Sequence, residues 1–147
     1  KATYSLPRAW LEEGSLVFSF SGLKSAVINL MHNLEQKNEP ISPENMAASF
    51  QESVLDVLIQ KTEQALERYS VNHLIVAGGV AANLGLRAEL EKLKKRKGIQ
   101  ISIPPLALCT DNAAMIGAAG YVAYQNGVRA GMDCNAEPGL NLDDFSS

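Results

Sequence analysis

Apolar and polar positions in the N-terminal part of the chain change from a strand-like to a helical spacing. Residues 16–20 alternate between apolar and polar side chains, which predicts a strand. Residues 23–34 then repeat apolar positions at helical intervals, which predicts a helix with one apolar face. That face carries Leu23, Ala26, Val27, Leu30, Met31 and Leu34.

A longer helix is predicted to begin near Ser42. Ser42 suits the N-cap, Pro43 the first helical position and Glu44 the first turn. A polar loop over residues 35–41 separates this helix from the one before it, and helical spacing continues to about residue 69. One broad buried face is predicted from the spacing of Phe50, Val54, Val57 and Leu58.

Strands and helices alternate along the rest of the chain. An apolar run at residues 73–77 and an alternating segment at residues 99–103 predict two short strands. A helix is predicted after each strand, one ending at residue 97 before Gly98 and one over about residues 111–125. This order predicts an α/β fold, with helices flanking a small, mainly parallel sheet.

A glycine pair follows the first of these two strands. In residues 74–83 an apolar run leads into Gly78-Gly79 and then into small residues that open a helix. Adjacent glycines allow positive φ and a close approach of a ligand to the backbone, and a helix N-terminus offers unpaired N–H groups. Gly78, Gly79 and Asn83 are therefore candidates for binding a nucleotide or another anionic group. The same residues could instead serve only packing and helix capping.

A second strand–turn–helix junction carries an acidic residue. Pro104-Pro105 ends the predicted strand, and Cys109 to Asn112 leads into a helix of small residues. Polar groups at equivalent corners of neighbouring strand–helix units converge on one crevice in open α/β sheets. Asn83 and Asp111 are therefore predicted to face a common cleft. Asp111 could alternatively be a plain N-cap of the helix that it precedes.

Composition narrows the classes of function. The hydrophobic fraction of 46% is ample for one core, and the aromatic fraction of 6% makes that core aliphatic. The net charge of −3 argues against a free-standing nucleic-acid binder, although it leaves RNA open as a substrate. Cys109 and Cys134 form no CxxC pair, so neither a zinc ribbon nor a redox motif is predicted. No apolar run in the sequence is long enough to span a membrane.

Four blocks of the sequence resemble the TsaD (Gcp/Kae-type) family, formerly described as O-sialoglycoprotein endopeptidases or glycoproteases. Residues 18–27 are similar to the family's FSFSGLKTAV block, and residues 47–52 to its AASFQE helix. Residues 77–83 are similar to its AGGVAAN block, and residues 109–115 to its CTDNAAM block. The blocks occur in the family's order and, with their spacing, cover nearly the whole chain.

The resemblance implies a partial actin/Hsp70/sugar-kinase-like (ASKHA) fold, built in the family as two lobes around an adenylate-binding cleft. It implies tRNA modification, in which the threonylcarbamoyl group of threonylcarbamoyl-AMP moves to N6 of an adenosine next to the anticodon. By the family's motifs, Asn83 would contact the adenylate, Gly78 and Gly79 would admit its adenosine, and Asp111 would be a ligand of a divalent metal, iron or zinc. The resemblance also implies a cytoplasmic location and two bacterial partners, a paralogous subunit and a small ATPase.

The sequence departs from the family pattern in its missing metal ligands. The family's other ligands form an HxxxH motif, which this sequence lacks, since its two histidines are His32 and His73. The phosphate-cradling glycine-rich segment of the N-terminal lobe is missing as well. We therefore expect residues 1–147 to be a C-terminal portion without its N-terminal lobe, with an irregular tail over residues 133–147. Such a piece is expected to be inactive alone and to self-associate through an exposed apolar face.

Several roles stay open at the level of the sequence. Lys24, at a helix start, could hold substrate or RNA, or it could be a solvated lysine. The basic run at residues 92–97 could contact tRNA phosphates, or it could only complement the end of its helix. Alternative functions are a glycoprotease-type metallopeptidase, which the lack of HExxH disfavours, a small-molecule kinase of the ASKHA superfamily, and a non-catalytic scaffold of the tRNA-modifying complex. The scaffold is disfavoured because Asn83 and Asp111 are retained.

Overall fold

The structure is a computed structural model that describes residues 1–8, 14–136 and 138–139. Its contacts divide the chain into two units, residues 1–110 and residues 111–147. The elements of the first unit are α1 (Ser21–Gln36), α2 (Pro43–Tyr69), β1 (His73–Ile75), α3 (Leu84–Lys97) and β2 (Gln100–Ser102). The second unit contains α4 (Ala113–Gln125). The architecture is α/β, as the sequence predicts.

The long helix α2 begins and ends where its sequence signals place it. The hydroxyl of Ser42 accepts a hydrogen bond from the backbone N–H of Asn45 at 3.2 Å, and Pro43 occupies the first helical position. Ser70 ends the helix in the left-handed conformation, with φ of 50°. The capping pattern of Ser42-Pro43 is therefore confirmed as the start of α2.

The sheet consists of two parallel strands joined by α3. His73 lies opposite Gln100 and Ile75 opposite Ser102, and β1 and β2 are each shorter than predicted. The helix α3 ends before Gly98, which takes the positive φ of 67° that favours glycine. A parallel pair needs such a crossover connection, and here α3 supplies it.

Two apolar clusters hold the first unit together. The larger one joins α2, α3 and the sheet through side chains that are almost fully buried. Its buried members are Leu55, Ile59, Leu66, Leu86, Leu90 and Leu93. The smaller one joins the N-terminal segment to α1 and α2 through Leu6, Leu23 and Met46. Burial of these aliphatic groups is the main stabilising contribution to this unit.

The prediction of a strand over residues 16–20 is wrong. These residues hold only an isolated bridge at Phe18, and no ladder with a neighbouring strand is present among the described residues. Backbone carbonyls just before this segment instead accept hydrogen bonds from side chains of α2. Lys61 donates to the oxygen of Ser15, and Arg68 donates to the oxygen of Gly14. An alternating pattern becomes a strand only where another strand pairs with it.

Two further expectations about helices need correction. Phe50 was expected on the buried face of α2, but 40% of it is exposed, because it faces a groove rather than the core. The helix α4 begins at Ala113 with Asn112 as its N-cap, whose side chain accepts from the N–H of Met115 at 3.2 Å. Asp111 is therefore not the N-cap of this helix.

The predicted tail over residues 133–147 falls largely outside the described residues. Residues 133–136 and 138–139 are described and contain neither helix nor strand, whereas residues 137 and 140–147 are not described. Within the described ranges, no helix is both long and apolar enough to cross a membrane.

Candidate functional site

The glycine turn after β1 leaves its backbone open to a ligand. Gly78 has φ of 88°, a conformation that side chains rarely adopt, and its carbonyl oxygen accepts from the N–H of Ala81 at 3.0 Å. This bond starts a 3₁₀ turn over Gly79–Ala82. A Cβ atom added at Gly78 or Gly79 would meet no atom within 4 Å, so the space beside both residues is free. The turn can therefore accept a group directly against its backbone.

Asn83 closes this turn and begins α3. Its Oδ1 accepts from the backbone N–H of Leu86 at 2.9 Å, which makes Asn83 the N-cap of α3. Its Nδ2 donates to Oε1 of Gln51, on α2, at 3.2 Å. The capping role that the sequence left open is thus present. The cap uses the oxygen of the amide, and the bond to Gln51 uses one of the two N–H groups on its nitrogen.

A groove with a volume of about 560 Å³ lies beside Asn83, between α1, α2 and the glycine turn. Gln51 and Asn83 are its polar residues, and the other residues that line it are apolar. The walls include Val27 and Met31 from α1, Met46 and Phe50 from α2, and Val80 from the turn. Apolar walls with a few placed polar groups are typical of small-molecule sites, and this size suits a flat heteroaromatic ring.

Arg87 connects the two loops at the carboxyl ends of β1 and β2, and sequence reasoning missed it. Its Nε donates to the oxygen of Ala81 at 2.7 Å, and its Nη2 donates to the oxygen of Pro104 at 2.7 Å. The same Nη2 lies 3.2 Å from Sγ of the buried Cys109. A cation in the first turns of a helix opposes the helix dipole, so its position at the start of α3 was a signal of other partners.

Asp111 begins the second unit and is exposed. The described part of the chain contains no group of three or more His, Cys, Asp or Glu residues that could hold a metal ion. A single carboxylate does not fit a divalent cation by itself, because such ions take several protein ligands. The convergence of Asn83 and Asp111 on one cleft stays a prediction.

The basic run at residues 92–97 is partly paired with acidic residues of the first unit. Nη2 of Arg96 lies 2.6 Å from Oε2 of Glu63. Nζ of Lys97 lies 2.9 Å from Oε1 of Glu63 and 2.5 Å from Oε1 of Glu67. Hydrogen bonds from Arg96 and then Lys97 hold the pKa of Glu63 below its ordinary value. These pairs anchor the end of α3 to α2, and a contact with tRNA stays a prediction.

Lys24, His32 and His73 lie on the surface of the described structure. Lys24 is exposed on the first turn of α1. Nδ1 of His32 lies 3.6 Å from Glu35 on the same helix, and Nε2 of His73 lies 2.9 Å from Oγ of Ser102 on the neighbouring strand. Both histidines are exposed.

Comparison with known proteins identifies the family. The sequence model of TsaD, described as tRNA N6-adenosine threonylcarbamoyltransferase, matches residues 1–118. Proteins with that name are 62% identical over 146 residues in Bacillus licheniformis, 60% over 143 residues in Bacillus subtilis and 59% over 144 residues in Staphylococcus carnosus. The chain therefore belongs to the TsaD family, and its α/β fold is of the ASKHA type.

The chain spans less than half the length of the curated relatives that it matches. The three alignments cover 99%, 97% and 98% of this chain, but 43%, 41% and 42% of the relatives. The glycine turn, Asn83 and the groove lie inside the matched residues 1–118, and so does Asp111.

Proposed function

We propose that the full-length protein containing this chain is a tRNA-modifying transferase that moves the threonylcarbamoyl group of threonylcarbamoyl-AMP to N6 of an adenosine next to the anticodon. The observation that carries this proposal is the open turn at Gly78-Gly79, followed by Asn83, one of the two polar residues that line an apolar groove. Membership of the TsaD family supports the reaction class. This chain by itself is proposed to be inactive.

The geometry suits the adenosine half of the adenylate. The groove takes the adenine ring against Met46, Phe50 and Val80, because a flat base gains from apolar contact while its edges need polar partners. The ribose lies against the backbone at Gly78 and Gly79, where no Cβ blocks its approach. The N–H of Asn83 that Gln51 does not occupy donates to the ligand.

The proposed reaction is an acyl-type transfer. The N6 amine of the tRNA base attacks the carbamoyl carbonyl, a C–N bond forms, the bond to the phosphate oxygen breaks, AMP leaves and the amine loses a proton. The residues of this chain contribute by holding the adenylate in one orientation. Positioning of this kind supplies a large part of the rate enhancement when two reactants must meet in line.

Asp111 is proposed to supply one carboxylate ligand to a divalent metal, iron or zinc, in the full-length protein. The other ligands would come from residues outside this chain, because the described residues offer no complete set. The Asp111→Asn variant of the full-length protein should lose bound metal, as measured by inductively coupled plasma mass spectrometry. Unchanged metal content in this variant would remove Asp111 from the site.

The proposed partners are tRNA, a paralogous subunit and a small ATPase, and the proposed location is the cytoplasm. Taken alone, this chain is proposed to self-associate through α4, whose apolar side chains are more than half exposed. These side chains are Met115, Ile116, Tyr121, Val122 and Tyr124. Size-exclusion chromatography with light scattering of the isolated chain tests this, and a monomer at all concentrations would contradict it.

The decisive experiment uses the full-length protein with its partner subunits, threonylcarbamoyl-AMP and unmodified tRNA. The digested nucleosides are read by mass spectrometry for threonylcarbamoyladenosine. Asn83→Asp is the informative variant, because aspartate caps a helix as well as asparagine does but lacks the amide N–H groups. We expect product from the wild type and a severe loss with Asn83→Asp at unchanged thermal stability. No product from a folded wild-type complex would favour a scaffold or a small-molecule kinase.

A further inference from the structure

The orientation of the Asn83 amide is set by two contacts of opposite polarity. Its Oδ1 accepts from the backbone N–H of Leu86 at 2.9 Å, so its nitrogen must lie on the other side of the amide. There, Nδ2 donates to Oε1 of Gln51 at 3.2 Å. The helix cap alone would leave the amide free to turn about the accepted bond, whereas the second contact removes that freedom.

Gln51 reaches Asn83 across a space that Gly85 leaves open. A Cβ atom added at Gly85 would lie 2.8 Å from Nε2 of Gln51 and 3.1 Å from Oδ1 of Asn83. A larger residue at position 85 would therefore displace the end of the Gln51 side chain. The absence of a side chain at Gly85 is a second feature, which leaves room for Gln51 beside Asn83.

Gln51 and Asn83 also line the same apolar groove. The contact between the two amides is exposed, and an Asn83 amide that turned there would lose both its bond from Leu86 and its bond to Gln51. Gln51 is a residue of α2, and α2 packs against α3 through the larger apolar cluster. The backbone of Gln51 is therefore held by the core of the first unit, and its exposed side chain reaches Asn83 from there.

We propose that Gln51 is a positioning residue for the adenylate site, whose carbonyl oxygen holds one N–H of Asn83 so that the second N–H stays directed to the ligand in the groove. This inference rests on the proposed function, since it assumes that the groove binds an adenosine nucleotide. Gln51 acts through Asn83 and needs no contact with the reacting atoms.

The test measures AMP binding to the full-length protein in its complex by isothermal titration calorimetry. Gln51→Leu removes the acceptor at similar size, and Gln51→Glu keeps an acceptor oxygen. Gln60→Leu is the matched control, because Gln60 is an exposed glutamine on the same helix. We expect Gln51→Leu to raise the Kd for AMP by about 3- to 10-fold, the range for one hydrogen bond. Gln60→Leu should leave it unchanged.

Adenosine serves as a second probe because it lacks the phosphate that a new glutamate would repel. Gln51→Glu should bind adenosine as the wild type does, whereas Gln51→Leu should bind it more weakly. Equal losses of adenosine binding in both variants would overturn the proposal, because the acceptor oxygen would then be immaterial. The midpoint of thermal unfolding is recorded for each variant, so that a loss of folding is not read as a loss of positioning.

A double-mutant cycle separates this inference from the proposed function. If Asn83→Ala weakens AMP binding, Gln51→Leu should add nothing further in the Asn83→Ala background. Additive losses would overturn the positioning role and leave the proposed function standing. If Asn83→Ala and Asn83→Asp both bind AMP as the wild type does, the proposed adenylate role of Asn83 fails, and the role of Gln51 fails with it.

Discussion

Arg87 donates a hydrogen bond to the backbone oxygen of Pro104 at 2.7 Å, which connects the start of α3 to the loop after β2. Its Nε binds the oxygen of Ala81 at the same distance, so one guanidinium joins both loops that follow the strands. The planar fork of arginine suits this geometry, and lysine has no equivalent set of donors. The glycine turn is thereby held through the backbone oxygen of Ala81.

We expect Arg87→Met to lower the free energy of unfolding by about 1.5 to 3 kcal/mol, the range for hydrogen bonds that involve a charged group. Urea unfolding of this chain, followed by circular dichroism, measures the change. Lys92→Met is the control, since Lys92 is an exposed residue of α3 whose Nζ lies 2.7 Å from Oε1 of Glu89 on the same helix. Equal stability of the two variants would show that the bridge between the loops contributes nothing.

The accuracy of the sequence predictions depended on how local each determinant is. The start of α2 at Ser42-Pro43 and the end of α3 before Gly98 were predicted, because capping depends on neighbouring residues. The glycine turn and its capping Asn83 were found for the same reason. The strand at residues 16–20 was wrong, because pairing depends on a partner that the pattern does not specify.

Contacts between distant parts of the chain were not predictable in this way. Gln51 lies 32 positions from Asn83, and nothing in helical spacing singles it out from other polar residues of α2. Phe50 has the spacing of a core residue but lines the groove, because spacing marks apolar positions and not what they face. The unfavourable place of Arg87 in the helix dipole is only a weak signal that this residue has partners outside its helix.

Burial of Leu93 in the core of the first unit predicts that shortening this side chain lowers the stability of the chain. This side chain is fully buried among α2, α3 and the sheet. Leu93→Ala should lower the free energy of unfolding by about 2 to 5 kcal/mol, since it removes buried contacts and leaves a cavity. Leu84→Ala is the control, because Leu84 is on the same helix but 71% exposed, and it should stay within about 0.5 kcal/mol of the wild type. Urea unfolding of this chain compares the two variants directly.

The ion pairs of Glu63 predict a pH-dependent contribution to stability. Hydrogen bonds from Arg96 and Lys97 lower the pKa of Glu63, so its contribution is present above its ordinary value of 4.5 and is lost as pH falls through the lowered value. Lys97 has a raised pKa, through Glu67 and then Glu63, so its contribution is present below 10.5 and is lost in more alkaline solution. The stability difference between wild type and Glu63→Gln should therefore be greatest between these limits.

At neutral pH we expect Glu63→Gln to cost about 1 kcal/mol, since the pairs are partly exposed to solvent. The difference should shrink below pH 4.5 and in about 1 M salt, which screens exposed charges. Glu91→Gln is the control, because Glu91 is an exposed carboxylate of α3. A difference that stays constant down to strongly acidic pH would show that the charge of Glu63 has no part in it.

Two adjacent residues before α4 have different roles, since one caps the helix and the other is the proposed metal ligand. Asn112 caps the helix through the N–H of Met115, whereas Asp111 precedes the cap and is exposed. Asn112→Ala should therefore destabilise the first turn of α4 by about 1 kcal/mol, and Asp111→Ala should leave it unchanged. Hydrogen exchange of the α4 amides in the full-length protein, read by mass spectrometry without added metal, measures both effects.

Asn112→Asp is the control, because aspartate retains the capping oxygen and should exchange like the wild type. Faster exchange in Asp111→Ala than in Asn112→Ala would assign the cap to Asp111 and would contradict the geometry of this helix start.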